Sequence, residues 1–313
     1  MANLDVRLPI QLKIKRKIEK IDYFLEKYKS VKECCDICPH RCRVNRSKSA
    51  GKCGEPWVTR ISSYNIHHGE EPPVSGICGS GTIFFTGCNM KCSYCQNFPI
   101  SQLRQAHRDT TTDELAGIML NLQGRKAHNI NFVTPNHYLY QIVEALKTAY
   151  SLGLNIPLVY NSSGFDRADV IADLDGIIDI YLPDAKYYSP DISEKYSCTR
   201  NYFEENSRTL LEMYSQTGDE LETDCDGIAL KGLIIRHLVL PGNIENTLQI
   251  LEWICGNLSN RVHISLMGQY FPAHKISSDN LPELNRRING EEYDRILEFA
   301  EKLGFENAWF QEI

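Results

Sequence analysis

Apolar positions near the start of the chain recur every three or four residues. Between residues 10 and 30, Ile10, Leu12, Ile14, Ile18, Ile21 and Leu25 interleave with lysine and glutamate, which predicts an amphipathic helix with a solvated basic face. The periodicity fades through a polar segment from residue 34 to residue 53. From residue 81 it returns as short β-branched and aromatic runs: TIFFTG at 82–87, NINFVT at 129–134, PLVYN at 157–161, IIDIYL at 177–182, GLIIRHLVL at 232–240 and RVHISLM at 261–267. Helical stretches lie between them. TTDELAGIMLNLQ opens with Thr111 and Glu114 at capping-box spacing and lines up Leu115, Ile118, Met119 and Leu122 on one face. YLYQIVEALKTAY is stopped by Gly153. Six strand–helix alternations require parallel strands joined by helical crossovers. A closed (β/α)8 barrel takes about 250 residues. Six units within residues 81–267 predict an α/β fold with an open, partial (β/α)6 barrel. The expected segments are an N-terminal helix and cysteine-rich cap (1–75), the barrel (76–275) and a C-terminal helical extension (276–313). The units share no repeat, which excludes a solenoid.

Charge narrows the function. Thirty-four basic and 40 acidic side chains give 34 − 40 = −6, a balance unsuited to general adhesion to nucleic acid or anionic membrane. No apolar run approaches the roughly 20 residues of a membrane span. The opening MANLDVRLPIQLKIKRKIEK lacks the apolar core and cleavage site of a signal peptide, so a cytoplasmic location is expected. Twelve cysteines are many for such a chain, and nine lie between residues 34 and 95. In a reducing compartment, clustered thiols bind metal or do redox chemistry more often than they pair as disulfides. Cys198, Cys225 and Cys255 are scattered and read as ordinary unligated residues.

In parallel α/β folds, ligand sites gather at the C-terminal ends of the strands. The first predicted strand runs into TGCNMKCSYCQN, with Cys88, Cys92 and Cys95 inside eight residues. The next ends carry Thr134-Pro135-Asn136-His137, Asn161-Ser162-Ser163-Gly164 and Asp184-Ala185-Lys186. The fifth run contains Arg236 and His237, and the sixth leads to Met267-Gly268-Gln269-Tyr270. Polar groups at six successive ends indicate one shared site. Four thiolates close a metal site; three leave a position open. Three cysteines fit a [4Fe–4S] cluster with one free iron, Met90 and Tyr94 keeping water away, or a zinc site completed by a distant residue.

CNMKCSYC resembles the CxxxCxΦC signature of the radical S-adenosylmethionine superfamily, with Tyr94 before the last cysteine. The resemblance implies that S-adenosylmethionine chelates the fourth iron. It implies that the reduced cluster cleaves the sulfonium bond and that the 5′-deoxyadenosyl radical abstracts hydrogen from a substrate. An electron donor such as flavodoxin or ferredoxin is then expected. The stretches CDICPHRCRVNR, HHGEEPPVSGICGSGTIFFTGCN, HNINFVTPNHY, IIDIYLPDAKY, IRHLVLPG and MGQYFPAHK, within residues 34 to 275, are similar to the group related to pyruvate formate-lyase activating enzymes, and more closely to its PflX-type subgroup. That likeness puts Asp184, Lys186 and Arg236 near the carboxylate of S-adenosylmethionine. Asn161 and Ser162 stand where activating enzymes have Asp-Thr. Thr134 to His137 replace a glycine-rich GGE motif, so Thr134 or Asn136 is expected to hold the methionine amino group. His274 is expected to face substrate or cofactor.

A second thiol group, Cys35, Cys38, Cys42 and Cys53, has the spacing C-x2-C-x3-C-x10-C, with Cys34 spare. It suits structural zinc, an auxiliary iron–sulfur cluster or no metal at all. Gly79-Ser80-Gly81 precedes a strand and reads as a tight turn. His67-His68 beside Glu70-Glu71 reads as loop contacts over the site rather than a metal site. Three functional classes follow: an activase-like enzyme acting on a polypeptide, a radical enzyme modifying a small molecule, and a non-catalytic iron–sulfur or zinc protein.

Overall fold

The computed structural model describes residues 10–311, with the side chains of Ile10 and Gln11 outside the described residues. The first helix, Ile10–Lys27, buries Ile21 and Phe24 and continues that face through Tyr28 and Val31. Leu12, expected on the apolar face, is exposed. Three of its lysines are engaged within the chain: Lys17 reaches Asp179 at 2.7 Å, Lys20 reaches Asp175 at 2.6 Å and Lys27 reaches Asp173 at 2.5 Å.

Ten strands form among the described residues: β1 (Thr59–His67), β2 (Ser80–Phe85), β3 (Arg108–Thr110), β4 (Ile130–Val133), β5 (Leu158–Ser162), β6 (Ile180–Pro183), β7 (Glu222–Thr223), β8 (Ala229–Leu238), β9 (His263–Met267) and β10 (Ala308–Phe310). Their order is β10-β9-β8-β6-β5-β4-β2-β1-β3, with β7 paired to β8 off this path. A linear order with two ends is an open sheet. The six anticipated strands are β2, β4, β5, β6, β8 and β9, all parallel. β10 extends the parallel run beyond β9, so the C-terminal extension contributes a strand besides its helix Gly290–Lys302. β1 and β3 add an antiparallel edge at β2. β1 was not anticipated because TRISSYNIH has only three apolar residues, Ser62-Ser63 breaks their alternation, and the strand stays partly exposed.

The two-residue alternation of each strand divides the sheet into faces. Ile83, Phe85, Ile130, Phe132, Leu158, Tyr160, Ile235 and Ile264 join the helices in the main core. The helix Thr112–Gly124 supplies Leu115, Ile118, Met119 and Leu122, its capping box closed by Thr111 and Glu114 as the spacing predicts. Val159, Ile180, Leu182 and Ile234 face the other way and pack with Val74 from the short helix Pro72–Ser75. That second face is the inside of the partial barrel.

Candidate functional site

Cys88, Cys92 and Cys95 lie in the loop after β2, and all three are free thiols. They pack against a cluster containing Met90, Tyr94, Phe165, Tyr187 and Tyr202, with Met90 and Tyr94 almost fully buried. Each sulfur has a polar neighbour. The Met90 N–H donates to Cys88 Sγ at 3.3 Å, Ser197 Oγ donates to Cys92 Sγ at 3.0 Å, and Ser101 Oγ lies 3.2 Å from Cys95 Sγ. A chain of hydroxyls continues behind Cys92: Ser197 meets Tyr187 at 2.6 Å, and Tyr187 meets Tyr94 at 2.6 Å. Burial and the neighbouring Cys92 and Cys95 push the Cys88 thiol up to about 12. This apolar enclosure resists thiolate charge unless iron compensates it, and three thiols on one loop match the donor set of a cluster with one open iron. Among the described residues, no three His, Cys, Asp or Glu side chains gather as they would around a single ion. A cubane is different, because its thiolates bind separate corners.

The inner face brings together residues far apart in sequence. Lys186 Nζ donates to Asp184 Oδ2 at 2.5 Å, and Arg236 Nε donates to Asp184 Oδ1 at 3.2 Å. Arg236 Nη2 donates to Asn161 Oδ1 at 2.6 Å, and its Nη1 donates to Glu70 Oε2 at 3.2 Å. Asn131 Nδ2 holds the other Glu70 oxygen at 3.0 Å. Burial opposes charge on Asp184, but Lys186 and Arg236 more than offset it and hold the carboxyl below its usual range. Burial pushes the Glu70 carboxyl up against the pull of Arg236. His237, next to Arg236, points to the other face and bridges Ala185 O at 2.5 Å and Thr247 Oγ1 at 2.9 Å.

Ser162 and Asn136 meet elsewhere, on Asp166. Its carboxylate accepts from Ser162 Oγ at 2.6 Å, from Tyr160 OH at 2.7 Å and from Asn136 Nδ2. Asn136 Oδ1 is buried without a partner. Thr134 has a left-handed φ of 56°, a costly conformation for a β-branched residue, and its N–H donates to Asn161 O at 2.8 Å. His274 lies beside the cysteine loop, not among the Asp184 contacts: it stacks on Phe98 and sits 3.3 Å from Gln102 Oε1, while Gln102 Nε2 donates to Cys92 O at 2.8 Å. Asp166 and Ser197 were not singled out, and Glu70 was read only as a loop contact over the site, not as a partner of Arg236. The only sequence signal was the acidic pair Glu70-Glu71 in HHGEEPP.

Residues 82–254 match the radical SAM superfamily, and the chain belongs to that family. It is 34% identical over 294 residues to the uncharacterized protein MJ0674 of Methanocaldococcus jannaschii, covering 90% of this chain and 78% of that one. Among solved structures it is similar to HydG, a maturase of the [FeFe]-hydrogenase, with TM-score 0.51 and 13% identity over 97% of this chain and 67% of that one. It is also similar to methylornithine synthase, with TM-score 0.47 and 14% identity over 71% of this chain, and spans 60% of that protein. The likeness to HydG is one of fold. The family brings a [4Fe–4S] cluster and S-adenosylmethionine to this chain. No described helix is long and apolar enough to cross a membrane.

Proposed function

We propose that this chain is an activase-like radical enzyme of the PflX-type subgroup, acting in the cytoplasm on a polypeptide substrate. Cys88, Cys92 and Cys95 hold the cluster. When bound, the reduced cluster and S-adenosylmethionine supply a 5′-deoxyadenosyl radical that takes hydrogen from the substrate. Lys186 and Arg236 offer cations to the carboxylate of S-adenosylmethionine, and Asp184 orients both of them. Thr134 or Asn136 would hold the methionine amino group, and the unpartnered buried Oδ1 of Asn136 supports that role. The aromatic wall of Tyr94, Phe165, Tyr187 and Tyr202 excludes water from the radical. A flavodoxin- or ferredoxin-type carrier supplies the electron.

One observation carries this reading: a free three-thiol loop follows β2, and the Asp184, Lys186 and Arg236 cluster lies on the same inner face. The strongest support for a macromolecular substrate is the open strand order. The test is anaerobic reconstitution followed by assay of 5′-deoxyadenosine with dithionite and S-adenosylmethionine. Product from wild type that is lost in Cys92→Ala supports the chemistry. A fully loaded cluster that neither binds nor cleaves S-adenosylmethionine refutes it. For the substrate class, the measurement is a protein-borne radical by electron paramagnetic resonance after incubation with a co-purifying partner. Transfer of label from deuterated small molecules alone would overturn the polypeptide reading.

A further inference from the structure

We propose that Cys35, Cys38, Cys42 and Cys53 are the four ligands of a second iron–sulfur cluster, a closed [4Fe–4S] centre packed against the loop of the first three cysteines. All four are free, and Cys35, Cys38 and Cys53 are buried. The main chain folds them together: Arg43, next to Cys42, donates its N–H to Cys35 O at 2.7 Å, and Gly54, next to Cys53, donates to the O of Gly51, which packs on Cys42 Sγ. The Lys52 N–H, next to Cys53 in the chain, donates to Cys42 Sγ at 3.3 Å. The Met90 N–H donates in the same way to Cys88 Sγ in the radical loop. Such donors favour thiolate over thiol and are among the means by which proteins set cluster potentials. Gly51 leaves the space this requires: a Cβ there would stand 3.2 Å from Cys42 Sγ.

The spacing favours a cluster over zinc. Structural zinc commonly draws its thiolates from separate close pairs. Here three cysteines fall inside one eight-residue window, Cys35 to Cys42, and the fourth is remote. That is the same window as Cys88 to Cys95 with the gaps reversed. The cap meets the radical loop on both sides of Cys88. A Cβ on Gly87 would stand 2.4 Å from Glu55 Cγ and 3.1 Å from Cys53 O. His40 Nε2 lies 2.6 Å from Asn89 O.

The proposal borrows its loop comparison from the radical reading, but its test is separate. The full chain is reconstituted anaerobically, and iron, sulfide and zinc are counted in wild type and in the Cys88→Ala/Cys92→Ala/Cys95→Ala variant. Wild type is expected to hold about eight irons and the variant about four. The variant's reduced cluster should give a paramagnetic signal unchanged by S-adenosylmethionine. Adding Cys38→Ser and Cys53→Ser should remove the remaining iron. If wild type holds about four irons that the triple variant loses, or if the cap holds about one zinc, the proposal is overturned. If wild type and the triple variant both hold about four irons, the second site stands and the three-cysteine reading falls. Should the triple variant misfold, about eight irons in wild type support the proposal, and about four that survive in Cys38→Ser/Cys53→Ser refute it.

Discussion

Arg236→Met tests the electrostatics of the inner face. Arg236 makes three side-chain contacts there: Asp184 at 3.2 Å, Glu70 at 3.2 Å and Asn161 at 2.6 Å. Methionine fills much of the same volume and supplies none of them. Asp184 keeps Lys186 at 2.5 Å, so Glu70 is the carboxylate left exposed to burial, with Asn131 as its remaining polar contact. Removing one partner of a buried pair costs about 3–5 kcal/mol. Glu70 limits that loss by taking a proton, at a cost of about 1.4 kcal/mol for each unit between ambient pH and its folded pKa. Its folded pKa is already raised by burial, and losing Arg236 raises it further. A raised carboxyl pKa means the fold binds the proton more tightly than the unfolded chain. Stability from this group is therefore greatest at low pH and falls as pH rises through the folded pKa. The variant falls further than wild type, so its penalty grows with pH. Urea unfolding followed by tryptophan fluorescence should give a penalty of about 3–5 kcal/mol near pH 7.5 that shrinks toward pH 5.5. In a Glu70→Gln background the pH dependence should vanish. A penalty below about 1 kcal/mol, or one flat across this range, refutes the reasoning.

Other outcomes follow from other contacts. Asp166 is raised to about 6 from 3.8 by burial, against the hydroxyl bonds of Ser162 and Tyr160. Its stabilising effect is present below the unfolded value and is lost as pH rises through about 6; Asp166→Asn should therefore gain about 3 kcal/mol on wild type between acid and neutral pH in unfolding titrations. Ser197→Ala removes the 3.0 Å hydroxyl bond to Cys92 and should move the cluster midpoint potential to a more negative value in a redox titration followed by paramagnetic resonance. Lys186→Met should weaken S-adenosylmethionine binding by about tenfold to a hundredfold in equilibrium dialysis, the worth of a charged hydrogen bond. Gly87→Ala combines a left-handed φ of 77° with a 2.4 Å approach to Glu55 Cγ, and should lower the thermal midpoint and iron retention together.

The chain announces its chemistry where the pattern is local. Cys88, Cys92 and Cys95 are legible because one loop supplies them, and the parallel strands are legible because each is a short buried run. Asp184 and Lys186 were visible two residues apart, and the structure adds their mutual bond. Glu70 was not legible as a partner of Arg236, which stands 166 residues away, because no local periodicity encodes a side chain rising into a barrel from a loop. Asp166 was hidden for the same reason: its importance comes from Asn136, Tyr160 and Ser162 converging on it. β10 is three residues long and too short to register as a strand by pattern alone.

The order of layers inside the barrel follows from strand alternation and bears on how the site is reached. Along β5 the inward positions are Val159 and then Asn161; along β8 they are Ile234 and then Arg236. Along β6 they are Ile180 and Leu182, and Asp184 follows just past the strand. Each therefore passes from an apolar layer to a polar one in the direction of the chain, charged on β8 and just past β6. Val74 packs into the apolar layer from the short helix Pro72–Ser75, and Asn129 Nδ2 donates to Val74 O at 2.8 Å, which fixes that helix against the lower strand ends. Glu70, just before this helix, reaches up to Arg236 and seals the charged layer from the same side. The lower end is closed by packing that costs several kcal/mol to open, whereas the upper end is made of loops. On the proposed function, a substrate would enter from the C-terminal ends of the strands, where Cys88 to Cys95 and the His274 segment meet through Gln102.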